Sequence, residues 1–138
     1  MNISKILSVL AAVSLMFVFA GCGGSNSTPE GAAKAMTEAM FDKNVDKVVS
    51  LMHIDTEGTG MSRKELEDMI KPKMKAGFAQ KDAEIKEKGG FKSVETELIS
   101  QKDDSARVKT TIHFKDGTQG TQPMNLKRVD GKWFVLIN

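Results

Sequence analysis

At Gly89-Gly90 the sequence changes its hydrophobic period, and that change limits the folds open to the chain. Before the two glycines, apolar residues recur three or four positions apart. After them, apolar and polar residues alternate. A helix turns about 100° per residue and a strand about 180°, so each pattern buries one face in only one kind of element. Helices followed by strands, with no return to helix, predict an α+β domain and not a parallel α/β sheet.

The helical half has its own punctuation. Thr28-Pro29-Glu30 is a helix start, with Thr28 to cap, Pro29 at the first helical position and Glu30 at the positive end of the dipole. Ala32, Ala33, Met36, Ala39 and Met40 follow at helical spacing. Asp42-Lys43-Asn44 interrupts, and Asn44 caps a second, short helix carrying Val45, Val48, Val49 and Met52 on one face. Residues 53–60 read as a loop. Ser62 and Glu65 form a capping box ahead of Leu66, Met69 and Ile70. Pro72 predicts a kink or a new start near Lys71, because it has no amide to donate. Met74, Phe78 and Ile85 carry the apolar stripe onward, with lysines and acids on the solvated faces, and Gly89-Gly90 stops the helix.

The strand half reads as four strands. Val94, Thr96 and Leu98 alternate with Ser93, Glu95 and Glu97, and residues 102–104 turn the chain. Ala106, Val108, Thr110, Ile112 and Phe114 then face inward, with Arg107, Lys109, Thr111, His113 and Lys115 outward. Asp116-Gly117 and Asp130-Gly131 close hairpins on either side of the strand holding Met124 and Leu126. Gly120 and Pro123 predict an edge or a bulge in the first part of that strand. The last strand, Trp133 to Ile137, is apolar on both faces, so its second face needs a helix or a partner to cover it.

The amino-terminal residues predict a location. Lys5 precedes an apolar run, residues 6–20, broken only by Ser8 and Ser14. The run is shorter than the roughly 20 residues a spanning helix needs, and small residues follow it, the order of a secretory signal. Cys22 is the one cysteine, so no intramolecular disulfide forms. Phe19-Ala20-Gly21-Cys22 resembles a bacterial lipobox, with Phe19 where leucine is commonest. That resemblance implies a diacylated Cys22 at the mature amino terminus. Each buried methylene adds ~0.8 kcal/mol, so two or three acyl chains anchor firmly. The expected organisation is a lipoprotein signal peptide over 1–21, a flexible polar tether over 22–27 and one domain over 28–138. Gly23, where aspartate would signal inner-membrane retention, points to the outer membrane, facing the periplasm, in a cell with two membranes.

The order and spacing of several short pieces carry a further resemblance. They are Thr28-Pro29-Glu30 with Ala33, residues 88–95, Ala106-Arg107-Val108, Lys115-Asp116-Gly117 and Asp130-Gly131-Lys132-Trp133. Together the chain resembles bacterial lipoproteins of the domain of unknown function family 4878, in the nuclear transport factor two-like (cystatin-like) superfamily. The resemblance implies three helices packed in a curved four-stranded antiparallel sheet, a cone, and no particular activity.

Chemistry is sparse. Twenty basic residues against 18 acidic ones leave no electrostatic case for nucleic acid. No Gly-rich phosphate loop follows a strand, so no cofactor is expected. His53, Asp55 and Glu57 share a loop without the rigid frame a metal site needs. There is no tyrosine, and Thr110 is the one polar residue among the inward strand positions. The inward list reads as a core or an apolar pocket, whose candidate lining is Phe78, Val108, Ile112, Phe114, Met124 and Trp133. The leading reading is a non-enzymatic envelope protein, held at the membrane through acylated Cys22, that binds a small apolar ligand or another envelope protein. An isomerase- or hydrolase-type enzyme with Asp55, Glu57 or Asp68 as base, and a dimerisation module using the last strand, are the alternatives. Mass spectrometry of the mature protein is expected to find acylated Cys22 as its first residue; an unmodified Cys22, or a cut elsewhere, contradicts the anchor.

Overall fold

The computed structural model describes residues 26–137. The expected signal peptide, Cys22 and most of the expected tether lie outside the described residues. In chain order the elements are helices α1 (Pro29–Phe41) and α2 (Val45–Leu51), strand β1 (Met52–His53), helix α3 (Arg63–Glu87), and strands β2 (Phe91–Lys102), β3 (Ser105–Phe114), β4 (Gln119–Val129) and β5 (Lys132–Leu136). They form an α+β domain with one sheet in the order β1-β5-β4-β3-β2.

The helix starts lie where side chains can satisfy the first free amides. Thr28 Oγ1 accepts from Gly31 N–H, and Asn44 Oδ1 accepts from Lys47 N–H. Ser62 and Glu65 make the reciprocal capping box at α3. At the other end of α3, Gly89 and Gly90 take φ of 80° and 96° and return their amides to Lys86 and Ile85 carbonyls. Helix α3 continues through Pro72 where a kink or new start was predicted. Pro72 and Asp68, whose carbonyl it leaves without a donor, are both exposed, so water serves that carbonyl at little cost.

Strands β2 to β5 form an antiparallel meander. Ala106 stands opposite Leu126, and Val108 opposite both Met124 and Leu98. The sheet has five strands and is mixed, a correction to the expected four antiparallel strands. Strand β1 runs parallel to β5, with Met52 opposite Val135 and His53 opposite Leu136. Two residues are too few to show an alternation, so this strand leaves no pattern in the sequence. Of the expected edge or bulge at Gly120 and Pro123, the structure has the edge. Strand β4 pairs regularly with β3 through Gly120 and Pro123, while β2 shifts register around Ile99. Strand β5 covers β4 only from Leu126 onward, so Pro123 occupies a stretch with one neighbour, where proline is tolerated.

The core lies between α1, α2 and one face of the sheet. Ala32, Ala33 and Met36 are fully buried against a cluster that includes Val48, Val49, Val108, Leu126, Trp133 and Val135. Alanines at the contact let the helix axis approach the sheet closely. Helix α1 crosses the sheet obliquely. At its start Trp133 N–H donates to Asn26 O at 2.9 Å; at its end Phe41 stacks on Phe91 at 4.4 Å and meets Phe114 edge-on at 6.0 Å. The two buried hydroxyls are satisfied locally: Thr37 donates to Ala33 O and Thr110 to Gln122 O. Phe134 and Leu136 on the second face of β5 are half-buried.

Leu126→Ala is expected to lower unfolding free energy by about 2–5 kcal/mol in urea titrations, through lost transfer energy and a cavity. Ile99→Ala, at an exposed bulge, is expected to change it by less than about 0.5 kcal/mol. Equal costs for the two would contradict this placement of the core.

Candidate functional site

The inside of the domain is closed by packing. Of the six candidate pocket-lining residues, Val108, Met124 and Trp133 belong to the buried cluster. Phe114 is buried in the aromatic group with Phe41 and Phe91, and Lys88 Nζ caps its ring at 4.8 Å. Ile112 is half-buried on the inward face, opposite Val94 and Gly120. Phe78 lies elsewhere, on α3.

A cleft of about 280 Å³ opens where the α1–α2 corner meets α3, lined by Lys43, Val45, Lys75, Phe78, Ala79 and Asp82. The corner is built tightly. Asp42 closes α1, and Asn44 caps α2. Lys43 between them takes φ 56°, a left-handed conformation that costs a side-chain-bearing residue about 1–3 kcal/mol. This projects the Lys43 side chain toward α3, where Nζ meets Asp82 Oδ1 at 2.6 Å. Lys86 holds the other carboxylate oxygen at 3.1 Å. A second ion pair, Lys71 with Asp46 at 3.0 Å, ties α3 to α2 one turn from the cleft. Arg63 reaches the carbonyls of Val49 and Met52, which fastens the start of α3 to the end of α2.

Helix α3 has no fully buried residue. Its stripe of Leu66, Ile70, Met74, Phe78 and Ile85 is half-buried, and Ile70, Met74 and Phe78 pack against the edge of the core. The cleft therefore has an apolar floor of Val45, Phe78 and Ala79 and a charged rim. Lys75 has no ion pair among the described residues, so the rim holds one uncommitted cation. Such a surface suits a small ligand with an apolar body and a polar or anionic end.

The titration behaviour is that of surface ion pairs and caps. Lys43 first, then Lys86, hold the Asp82 carboxyl below its usual range through hydrogen bonds and charge. Ser62 lowers Glu65, Lys88 chiefly lowers Glu84, and Thr118 lowers Asp116. Asp46 raises Lys71. Every one of these shifts favours the charged form, whereas a general acid at neutral pH needs a carboxyl pushed upward.

The remaining sequence candidates are dispersed. Asp55, Glu57 and Asp68 are all exposed, and Asp55 accepts from the Glu57 amide in a local turn. His53 pairs in β1 beside Leu136, and His113 stands 3.2 Å from Glu95 on the outer face of the sheet. No group of metal-binding side chains occurs among the described residues. Lys75 and Asp82 are among the charged residues expected on the solvated faces of the helix, and Lys43 lies in the expected break between the first two helices. One signal marks Asp82: it falls four residues after Phe78 on the stripe Leu66, Ile70, Met74, Phe78, where a carboxylate needs a cation from a neighbouring element.

The family described as Domain of unknown function (DUF4878) matches residues 20–136. A crystal structure from Campylobacter jejuni, named "Putative NTF2-like transpeptidase", superposes with a TM-score of 0.65. It is 24% identical in sequence, and the match covers 80% of this chain and 99% of that one. At that identity the likeness establishes the NTF2-like fold. No curated protein matches the chain.

Because the folded state depresses the Asp82 pKa, its ion pairs add stability above the unfolded pKa, and that stability is lost as pH falls through the folded value. Thermal melts between pH 7 and pH 2 are expected to show a smaller acid-induced loss for Asp82→Asn than for the wild type. Identical acid profiles would show that Asp82 contributes nothing.

Proposed function

The chain belongs to the DUF4878 family and has the NTF2-like fold, and from that premise we propose that it is a lipid-anchored envelope protein whose domain binds and does not catalyse. Residues 1–21 are the signal peptide, 22–27 the tether and 28–138 the binding domain, with Cys22 carrying the lipid. In a cell with two membranes it sits on the outer one, facing the periplasm. The binding site is the cleft between α3 and the α1–α2 corner, and its occupant is a small ligand with an apolar body, or an apolar side chain of an envelope partner.

One contrast carries this reading. The inward sheet face is filled by packed apolar side chains and a satisfied Thr110, whereas Phe78 stays half-exposed between two lysines. An apolar ring left in a charged cleft gains from a ligand that removes it from water.

The name of the Campylobacter protein keeps a catalytic reading in view. Acyl transfer needs a nucleophile held by a base. Among the described residues there is no cysteine, and both buried hydroxyls are spent on backbone carbonyls. The isomerase-type version lacks its base in the interior, since Asp55, Glu57 and Asp68 are exposed. These observations favour binding over catalysis.

Native mass spectrometry of protein released from its own membrane is expected to find a co-purifying small molecule or partner. Phe78→Asp should lose it while retaining a wild-type circular dichroism spectrum. Wild-type protein free of any adduct, or an adduct unchanged in Phe78→Asp, would overturn the cleft as the binding site.

A further inference from the structure

The described chain begins at one end of the sheet, and that end has its own construction. Asn26 O accepts from Trp133 N–H at the start of β5. The Arg128 guanidinium lies over the Trp133 ring at 5.2 Å. The same guanidinium reaches Asp104 Oδ1 at 2.9 Å and Asp103 O at 3.2 Å, and the Arg128 amide donates to Asp104 O at 2.7 Å. Arg128 thus locks the β2–β3 turn to the start of β5, with the β4–β5 turn beside it. Asp130 and Gly131 in that second turn take φ of 52° and 77°, the left-handed pair of a tight two-residue hairpin. The result is a braced platform of two hairpin turns with the chain entering at its side.

Cys22 is four residues from Asn26, and four residues span at most ~14 Å even when fully extended. We propose that this platform is the membrane-proximal face, with the β2–β3 and β4–β5 turns resting at the lipid headgroups. The inference rests on the anchor reading and goes beyond it by fixing which way the domain stands. The platform's charge permits the contact. Lys102, Lys127 and Lys132 are exposed around it and have no ion pair among the described residues. Asp103 and Asp130 are the exposed carboxylates opposing them, and Asp104 is neutralised by Arg128. Lysines near an anionic headgroup surface are attracted to it and carboxylates are repelled, so with three against two the net attraction is slight. The short tether sets the orientation and the charge does not resist it.

This orientation places the cleft. Helix α1 runs away from the platform for 13 residues, roughly 20 Å at 1.5 Å per residue, and Lys43 follows its last turn. The α1–α2 corner, the end of α3 and the β3–β4 turn therefore face the aqueous compartment. The cleft receives what arrives from that side, and a lipid still seated in the anchoring bilayer is out of its reach.

Fluorescence quenching tests the orientation on the full acylated protein in phosphatidylethanolamine–phosphatidylglycerol vesicles carrying a nitroxide on the headgroup. Acylation occupies the native thiol, so single dyes are attached at Ser105→Cys or Lys132→Cys on the platform, and at Gln119→Cys at the opposite end. Vesicle-bound protein is expected to show several-fold stronger quenching at 105 and 132 than at 119. Equal or inverted quenching in vesicle-bound protein overturns the orientation and leaves the anchor standing. Protein that does not co-sediment with the vesicles overturns the anchor, and the orientation with it.

Discussion

The contact between α1 and the sheet is the interaction on which the rest of the domain depends. Ala32, Ala33 and Met36 are fully buried there, against a cluster holding Val108, Leu126 and Val135 from three strands. Small side chains on the helix set a short helix–sheet distance, and the larger strand residues fill the space on either side. Buried apolar surface contributes roughly 25 cal/mol per Å², so this interface outweighs any single polar contact in the molecule. The caps at Thr28 and Asn44 and the aromatic group at Phe41 serve it by fixing where α1 starts, where it turns and what meets its end.

Helix α3 is attached differently. It is the longest helix and buries no residue fully. Three half-buried side chains touch the edge of the core, and ion pairs, hydrogen bonds from Arg63 and the contacts of Lys88 with Phe114 and Asp116 add to them. Ion pairs as exposed as these contribute about 0–1 kcal/mol each. A core closed without α3, and a helix laid over its edge, leave a cleft where the Phe78 ring is accessible beside charge. The proposed binding site follows from that division of labour, and so does its position away from the hairpin platform.

Much of this was legible in the sequence, because local rules and the global fold agree in most of the chain. Thr28, Asn44 and Ser62 cap where expected, Gly89-Gly90 stops α3, and the inward parity of β3 from Ala106 to Phe114 is the observed one. The failures have physical causes. Strand β1 is formed by the free edge of β5, a long-range event that two residues cannot announce. Pro72 predicts a kink or a new start, yet α3 runs through it because solvent takes up the carbonyl left without a donor, whereas Pro123 lies on an open edge as its sequence context implies. The Lys43–Asp82 pair joins elements far apart in sequence through a strained corner, so no window of local pattern contains it. Inward parity also does not separate core from pocket: Val108 and Ile112 share it, yet one is fully buried and the other half-buried.

The central claim is a closed α1–sheet core with α3 docked over it more weakly. Residue-resolved native-state hydrogen exchange tests this directly, since it reads the free energy of opening each element. Amides in the middle of α1 and β3 should exchange only through global unfolding, and those along α3 should open at distinctly lower free energy. Exchange from α3 at the same free energy as from α1 would contradict the claim, because it would make α3 part of one cooperative core.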